Sequence, residues 1–258
     1  ILVLSDALRY DVAKANMGFL GHLVEYKLAS LYKITGELPS MSRPMYETIH
    51  TGLPSSQHGI VANSIIRRST RPNIFQAVKS AGKVTAAAAY YWVSELYNQA
   101  PYDRIEDKEV DNENLTIQHW RFYTQDEYPD IELFMSAAGL VRRFSPDYLL
   151  VHPMGMDYHG ETYGSDSKEY RHHAIQQDKW LAPLIQEWME HEYTILVTGD
   201  HGINKDGAHG GTTPEQREVP LFMIQPNVKG RGDTGETVSQ LQIAPTILNL
   251  LEIPIPSS

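Results

Sequence analysis

Carboxylate and imidazole side chains collect at or soon after the ends of three short apolar runs in this sequence. Aspartate, glutamate and histidine together suit zinc, and a larger share of oxygen ligands also suits manganese or magnesium. Each residue alone means little, because an Asp that follows a strand commonly caps a helix. If the three runs end at one edge of a sheet, their side chains form a metal site. The candidate ligands are Asp6, Asp157, His159, Glu161, Asp200, His201 and His209.

Ser42 is the candidate nucleophile, because it lies just before Pro44 and the helical pattern that follows. The free N–H groups and the dipole at the start of a helix favour an anion such as phosphate. A serine hydroxyl is a weak nucleophile at neutral pH and needs a base or a metal ion to activate it. The predicted metal cluster would supply that activation. Serine is also a preferred N-cap, so the pattern is equally consistent with a simple helix cap.

These side chains meet only if the strands of one sheet end together. Apolar runs bounded by turn residues predict buried strands, and amphipathic segments between them predict helices. This alternation is typical of an α/β fold with a mainly parallel central sheet sandwiched by helices, where ligands bind beyond the carboxyl ends of the strands. The predicted strands are Ile1–Ser5, Val84–Ala89, Tyr148–Val151, Thr194–Thr198 and Leu221–Ile224. The predicted helices are Pro72–Ala81, Ile131–Phe144, Asp166–Glu192 and Ser239–Leu251.

The predicted helix Asp166–Glu192 carries two local signals. It opens on Asp166, with Glu169 three residues later, which is a capping-box pattern. Pro183 lies in its interior and is expected to kink or split the helix.

The 258 residues carry a formal net charge of −10, and none of them is cysteine. The missing thiols exclude disulfides, thiolate metal sites, iron–sulfur clusters and a cysteine nucleophile. The acidic balance argues against binding to a nucleic-acid backbone. No apolar stretch reaches the ~20 residues that a membrane span requires. We expect a soluble protein, cytoplasmic or exported; the first residue is not Met, so the compartment stays open.

A chain of this length fits one large α/β domain, residues 1–258, with room for an insertion. The stretch 98–129 differs from its surroundings, since it is rich in acidic and aromatic residues and has no clear period. We interpret it as an insertion that is either a solvated excursion or a partial cap over the site.

The order of these motifs resembles the alkaline phosphatase superfamily, and within it the type I phosphodiesterase/nucleotide pyrophosphatase family. The resemblance extends over nearly the whole chain, from Asp6 to Pro256. Its pieces are Asp after the first strand, Ser-x-Pro at a helix start, the segment Thr51-Gly52-Leu53-Pro54-Ser55-Ser56-Gln57-His58-Gly59, Asp-x-x-Gly-x-x-x-Gly from Asp157, Asp-His-Gly from Asp200, His-Gly at His209, and Gln240–Pro254.

The resemblance implies a Ser42 nucleophile and two divalent metal ions, zinc or alternatively manganese. The implied ligands of one ion are Asp6, Asp200, His201 and the Ser42 oxygen. The implied ligands of the other are Asp157, His209 and a third residue four positions after Asp157.

Two departures from the family pattern bear on this site. The third ligand is usually His in the family, but the chain has Glu161 there, with His159 as the alternative ligand. An added oxygen ligand could shift the preference from zinc towards manganese. Met45 stands where the family often has an Asn that binds phosphate, which puts the substrate preference in doubt. Tyr46 replaces the Arg that a formylglycine sulfatase needs, so a sulfatase is disfavoured.

The implied activity is that of a metal-dependent phosphodiesterase or nucleotide pyrophosphatase acting on a small phosphate ester or nucleotide-like substrate. Ser42 would attack phosphorus in line, with one metal ion on its oxygen and the other on the opposite oxygen and the leaving group, and water would cleave the seryl intermediate. The alternatives are a phosphomonoesterase, a phosphonate hydrolase or a non-catalytic binder that retains the fold. Candidate substrate contacts are Arg43, Met45, Asn63 and Tyr91.

Overall fold

One sheet of nine strands runs through the protein, as a computed structural model that describes residues 1–255 shows. The end of the predicted domain, residues 256–258, lies outside the described residues. In chain order the strands are β1 (Leu2–Ser5), β2 (Ala29–Thr35), β3 (Thr85–Tyr90), β4 (Glu109–Asp111), β5 (His119–Tyr123), β6 (Tyr148–Val151), β7 (Ile195–Gly199), β8 (Glu218–Ile224) and β9 (Gly232–Ser239). Their spatial order is β4-β5-β3-β6-β1-β7-β8-β2-β9.

The middle of this sheet is parallel. Strands β5, β3, β6, β1 and β7 pair in parallel with their neighbours, as do β2 and β9. Antiparallel pairs are confined to β4 with β5 and to β8 with β7 and β2. The prediction of a mainly parallel sheet is confirmed, and β1, β6 and β7 end at one edge.

Helices cover both faces of the sheet. They are α1 (Tyr10–Asn16), α2 (Gly18–Glu25), α3 (Ser42–Thr51), α4 (Ser55–His58), α5 (Ile74–Ser80), α6 (Trp92–Tyr97), α7 (Asp130–Phe144), α8 (Gly155–Tyr163), α9 (Lys168–Glu190), α10 (Pro214–Arg217) and α11 (Ile243–Leu250). Alternate residues of β1 face the two layers: Val3 packs among residues of α1, α2, α7 and α9, whereas Leu2 and Leu4 pack among residues of α3, α5 and α11. Because both faces are covered, the central strands are continuous apolar runs rather than alternating ones.

The predicted strands and helices all occur, with ends shifted by a few residues. The last predicted helix, Ser239–Leu251, is a 3₁₀ turn at Gln240–Gln242 followed by α11. The sequence patterns missed the helices α1, α2, α4, α6, α8 and α10 and the strands β2, β4, β5 and β9. Most of these elements lie at the margins of the sheet or carry mixed polarity, so their periodicity is weak.

Helix α9 continues through Pro183, so the predicted split is wrong. The capping-box prediction is also wrong by one residue. The N-cap is Ser167 rather than Asp166, and its side chain accepts a hydrogen bond from the Tyr170 N–H.

One face of α9 forms hydrogen bonds with the end of β1, with the residues that follow it and with the start of α2. The Tyr170 hydroxyl donates to the Ala7 carbonyl oxygen at 2.5 Å. Gln177 accepts a hydrogen bond from the Ser5 hydroxyl at 2.7 Å. Asp178 accepts the first free N–H groups of α2, at 2.6 and 3.0 Å. These three α9 residues share a face because they are seven and eight positions apart. The helix thus ties the end of β1 to α2.

The segment 98–129 contributes β4 and β5 to one margin of the sheet. Trp120 is buried there, and its indole N–H donates to the Asp107 carbonyl oxygen at 2.6 Å. Residues 103–106 are exposed. That this segment is an insertion, and that it covers the site in part, both remain predictions.

Within the described residues, no helix is both long enough and apolar enough to span a membrane.

Candidate active site

The carboxyl ends of β1, β6 and β7 place the predicted ligands beside one another. Asp6 directly follows β1, and Asp200 directly follows β7, the neighbouring strand. Asp157 lies in the first turn of α8, which follows β6 on the other side of β1. His201 and His209 belong to the long connection after β7.

Two groups of side chains are close enough to hold metal ions. Asp6, Asp200 and His201 form one group, and Asp157, His201 and His209 form the other, with the ligand atoms of each group within 4.8 Å of one another. The first group contains the three side chains expected to bind one ion together with Ser42; the second contains the expected Asp157 and His209 but has His201, not Glu161, as its third member. The His201 and His209 rings are stacked, with centroids 4.4 Å apart.

Ser42 is the first residue of α3, and its hydroxyl lies 3.1 Å from His201 Nε2. The residue before it, Met41, has an extended backbone and occupies the N-cap position without a side-chain cap. The interpretation of Ser42 as a simple N-cap is therefore wrong. Its side chain points to the carboxylate and imidazole cluster instead of the helix N–H groups.

The protonation of His201 shows why this cluster suits a cation. His201 Nδ1 lies 2.9 Å from the Gly202 carbonyl oxygen, which fixes the proton on Nδ1. Burial lowers the pKa of His201 to about 4, so the ring is neutral near pH 7. The Nε2 lone pair then faces Asp6 Oδ1 at 3.3 Å and Asp200 Oδ2 at 3.4 Å. Acceptors that face one another without a proton repel, and a cation between them relieves that repulsion.

The buried carboxylates support the same conclusion. Asp6, Asp157 and Asp200 are each buried, and one oxygen of each has no hydrogen-bond partner. Burial and the charge of Asp6 raise the pKa of Asp157 and Asp200 well above the usual range. No Lys or Arg of the described chain forms an ion pair with any of the three. These donors fit divalent metal ions, whose charge would replace the missing partners.

Glu161 and His159, the two candidates for the third ligand of the second ion, differ in position. Glu161 Oε1 lies 3.2 Å from His209 Nε2, at the edge of the second group. His159 Nδ1 lies 2.7 Å from the Gly155 carbonyl oxygen, and the His159 ring stacks on His173 with centroids 4.2 Å apart. Glu161 is thus near the group, whereas His159 packs against α9.

Three residues outside the predicted ligand set orient Asp6. Tyr46 donates a short hydrogen bond to Asp6 Oδ2, and His152 Nε2 lies 3.1 Å from the same oxygen. Burial opposes ionisation of Asp6, but the hydrogen bonds with His152 and Tyr46 help to lower its pKa overall. The Tyr123 hydroxyl donates to the His152 carbonyl oxygen at 2.7 Å. Tyr46 could have been found from sequence, because it stands four residues after Ser42 on the same helical face.

The predicted substrate contacts have mixed surroundings. Arg43 is buried, pairs with Glu95 at 2.7 Å and lies over the Trp92 ring, so it is not open to the site. Its backbone N–H donates to Asn63 Oδ1 at 3.0 Å. The Met45 side chain is fully buried.

Tyr91 is half-buried. It packs against Tyr90, Trp92 and Tyr102, with ring centroids 4.7 to 6.2 Å away. It therefore belongs to an aromatic cluster at the carboxyl end of β3.

Comparison with known proteins shows the family of the chain and several likenesses in fold. The model of the type I phosphodiesterase / nucleotide pyrophosphatase family matches residues 1–206. Human ectonucleotide pyrophosphatase/phosphodiesterase 5 has a similar fold, with a TM-score of 0.76 over 99% of this chain and 95% of that one, at 14% sequence identity.

Relatives by sequence are named for a different activity. The chain is 31% identical to GPI ethanolamine phosphate transferase 2 of Candida albicans over 100% of its own length. It is 24% identical to the catalytic subunit of human GPI ethanolamine phosphate transferase 3 over 99% of its length. It spans only 30% and 24% of those two proteins.

The helix that carries Ser42 also carries a buried acid, Glu47, that makes stability depend on pH. One Glu47 oxygen accepts a hydrogen bond from Ser69, and the other has no partner. Burial raises the pKa of Glu47 from 4.5 to about 7. Between these values the folded state holds a proton that the unfolded state has released, so stability falls as pH rises.

We expect Glu47→Gln to remove that fall. From pH 5 to pH 8 the wild-type free energy of unfolding should drop relative to the variant by at most about 3 kcal/mol. Urea denaturation of both proteins at several pH values measures the difference. Glu113→Gln, at an exposed position, is the control and should follow the wild type. Parallel curves for wild type and Glu47→Gln would contradict the expectation.

Proposed function

We propose, from the premise that this chain belongs to the type I phosphodiesterase / nucleotide pyrophosphatase family, that it breaks a phosphoric ester bond with Ser42 as nucleophile and two divalent metal ions as cofactors. One observation carries the proposal: the Ser42 hydroxyl and two buried carboxylates all face the same neutral imidazole nitrogen of His201. A cation relieves the repulsion between the carboxylates and the imidazole lone pair, and a cation at that point also activates the Ser42 hydroxyl.

The two groups of side chains divide the proposed ligands. The first ion would be held by Asp6, Asp200, His201 and the Ser42 oxygen. The second would be held by Asp157, His209 and Glu161; His159 is the weaker candidate because it contacts Gly155 and His173 instead. When bound, two such ions, zinc or manganese, supply positive charge that lowers the pKa of a hydroxyl and stabilises charge on phosphoryl oxygens.

The chain itself positions the reacting groups. Ser42 stands at the N-terminus of α3, where the helix dipole favours a phosphoryl group. Tyr46 and His152 hold Asp6 in place. Ser42 Oγ loses its proton and forms a bond to phosphorus as the bond to the leaving ester oxygen breaks, and that oxygen gains a proton. The hydroxyl of the acceptor then loses its proton and forms a bond to phosphorus as the bond to Ser42 Oγ breaks, and Ser42 Oγ takes up a proton.

The acceptor decides between two activities. Water would make the protein a phosphodiesterase or pyrophosphatase, as the sequence motifs predict. An alcohol would make it a transferase, and the match of nearly all of this chain to part of two ethanolamine phosphate transferases favours this second candidate. We propose transfer of an alkyl phosphate such as ethanolamine phosphate to an acceptor hydroxyl, with hydrolysis as the competing reaction. Both share the Ser42 ester.

The nucleophile is tested by Ser42→Ala. We expect turnover of phosphodiesters to fall by at least about a thousandfold while bound metal is retained, because the hydroxyl forms the covalent bond. Rates with bis(4-nitrophenyl) phosphate and metal content by mass spectrometry give both readouts. Ser56→Ala, at an exposed position, serves as the control. Undiminished activity of Ser42→Ala would end the proposal.

The third ligand is tested by Glu161→Ala and His159→Ala. We expect the wild type and His159→Ala to bind about two ions per chain after dialysis, and Glu161→Ala to retain about one, because a ligand oxygen is lost. Thermal melting checks that each variant folds. Loss of an ion from His159→Ala alone would reverse the assignment.

The acceptor is tested by partitioning. With bis(4-nitrophenyl) phosphate and increasing glycerol, a transferase should form the glyceryl 4-nitrophenyl diester in excess over the glycerol-to-water ratio, since its site binds an alcohol. A product ratio equal to that of the bulk solvent would identify a hydrolase. Rates with a phosphate monoester and a phosphonate ester test the phosphomonoesterase and phosphonate hydrolase alternatives. Metal-loaded protein that turns over none of them would be a non-catalytic binder.

A further inference from the structure

A cavity lies beside the carboxyl end of β5, between β5, the start of β4 and α7. It has a volume of about 350 Å³. None of the proposed metal ligands lines it. The lining residues that matter for its chemistry are Tyr102, Arg104, Lys108, Arg121, Tyr123 and Tyr128.

The charge of this cavity is opposite to that of the protein. Arg104, Lys108 and Arg121 line it, and Glu109 is the single acidic side chain among the lining residues, in a chain whose net charge is −10. Arg121 is held in place by ion pairs with Asp111, at 3.1 Å, and with Glu109, at 3.6 Å, so the charges without a partner are those of Arg104 and Lys108. Arg104 and Lys108 are exposed, and neither forms an ion pair with another described residue. A concave site with unpaired cations attracts an anion.

Tyrosine side chains add directional groups to the lining. The Tyr102 hydroxyl is buried and has no hydrogen-bond partner among residues 1–255. The Tyr123 and Tyr128 rings are stacked, with centroids 4.9 Å apart, and form a flat wall. A buried hydroxyl without a partner is costly, and an anionic oxygen would satisfy it.

Two short chains of contacts join the cavity to the proposed nucleophile and ligands. On one side, the Tyr123 hydroxyl bonds the carbonyl oxygen of His152, whose ring contacts Asp6. On the other, the Tyr102 N–H donates at 3.2 Å to Glu95, which pairs with Arg43 next to Ser42. The cavity is therefore walled in part by residues that also support the proposed nucleophile and ligands.

We infer that this cavity is a second anion-binding subsite, which holds a phosphate group that the substrate carries away from the phosphorus under attack. The inference rests on the proposed function for the identity of the substrate, but the binding of an anion does not. Arg104 and Lys108 supply mobile charges, Arg121 a fixed one, and the Tyr102 hydroxyl donates to a phosphate oxygen.

Anion binding is tested directly with 1,2-ethanedisulfonate, an inert dianion that ligates metal ions weakly. Calorimetric titration of the metal-loaded protein should show binding that weakens at least about tenfold in the double variant Arg104→Gln/Lys108→Gln, at about three- to fivefold per exposed charge. Lys168→Gln, at a fully solvated lysine, is the matched control and should bind as the wild type does. Equal binding by wild type and double variant, or its complete absence, would overturn the inference.

The role in substrate selection is tested with two diesters that share a 4-nitrophenolate leaving group. One carries a neutral ethyl group, and the other carries a 2-phosphonooxyethyl group. The double variant should lose about tenfold in kcat/KM for the second diester and stay within twofold for the first. Equal losses on both would overturn the subsite. If neither diester is turned over while disulfonate binding still depends on Arg104 and Lys108, the proposed function fails and the anion site stands.

Discussion

Burial of three carboxylates beside one neutral imidazole is the constraint on which the arrangement of the site depends. Asp6, Asp157 and Asp200 come from three neighbouring strand ends, and none has a Lys or Arg partner among the described residues. Such a cluster is unstable unless a cation joins it or protons neutralise it. The surrounding hydrogen bonds mainly fix the orientation of these oxygens. The fold therefore holds like charges close together.

Much of this arrangement follows from the sequence because parallel strands bring distant residues to one edge. Asp6 and Asp200 are far apart in the chain, yet each immediately follows an apolar run, and that position alone predicts their meeting. Ser42 is predicted from the helix start that Pro44 marks, and Glu161 from the family resemblance. Tyr46 and His152 were not assigned to Asp6, because a hydrogen bond between side chains of different elements leaves no periodic signal. The N-cap of α9 was misplaced by one residue for a similar reason: Asp166 and Ser167 are both good caps, and local packing decides.

The same geometry is compatible with more than one activity. A seryl ester can pass its phosphoryl group to water or to an alcohol, and neither outcome needs a different nucleophile or ligand set. What differs is the surface that receives the acceptor. In this protein the aromatic residues after β3 lie at the edge of the sheet that carries the proposed ligands, and they contact residues 98–129, which are less regular than the core. Similarity in the core thus indicates phosphoester chemistry, whereas the less regular surface residues determine which acceptor takes part in the reaction.

The continuity of α9 has a consequence for how this chain can vary. Tyr170, Gln177 and Asp178 are fixed on a single rigid rod, and a single inserted or deleted residue between them would rotate the following side chains by about 100°. The hydrogen bonds of Gln177 to Ser5 and of Tyr170 to Ala7 could not then form at once. Insertions and deletions should therefore accumulate in surface connections, such as the exposed turn at residues 103–106. They should be absent from the part of α9 between Tyr170 and Asp178.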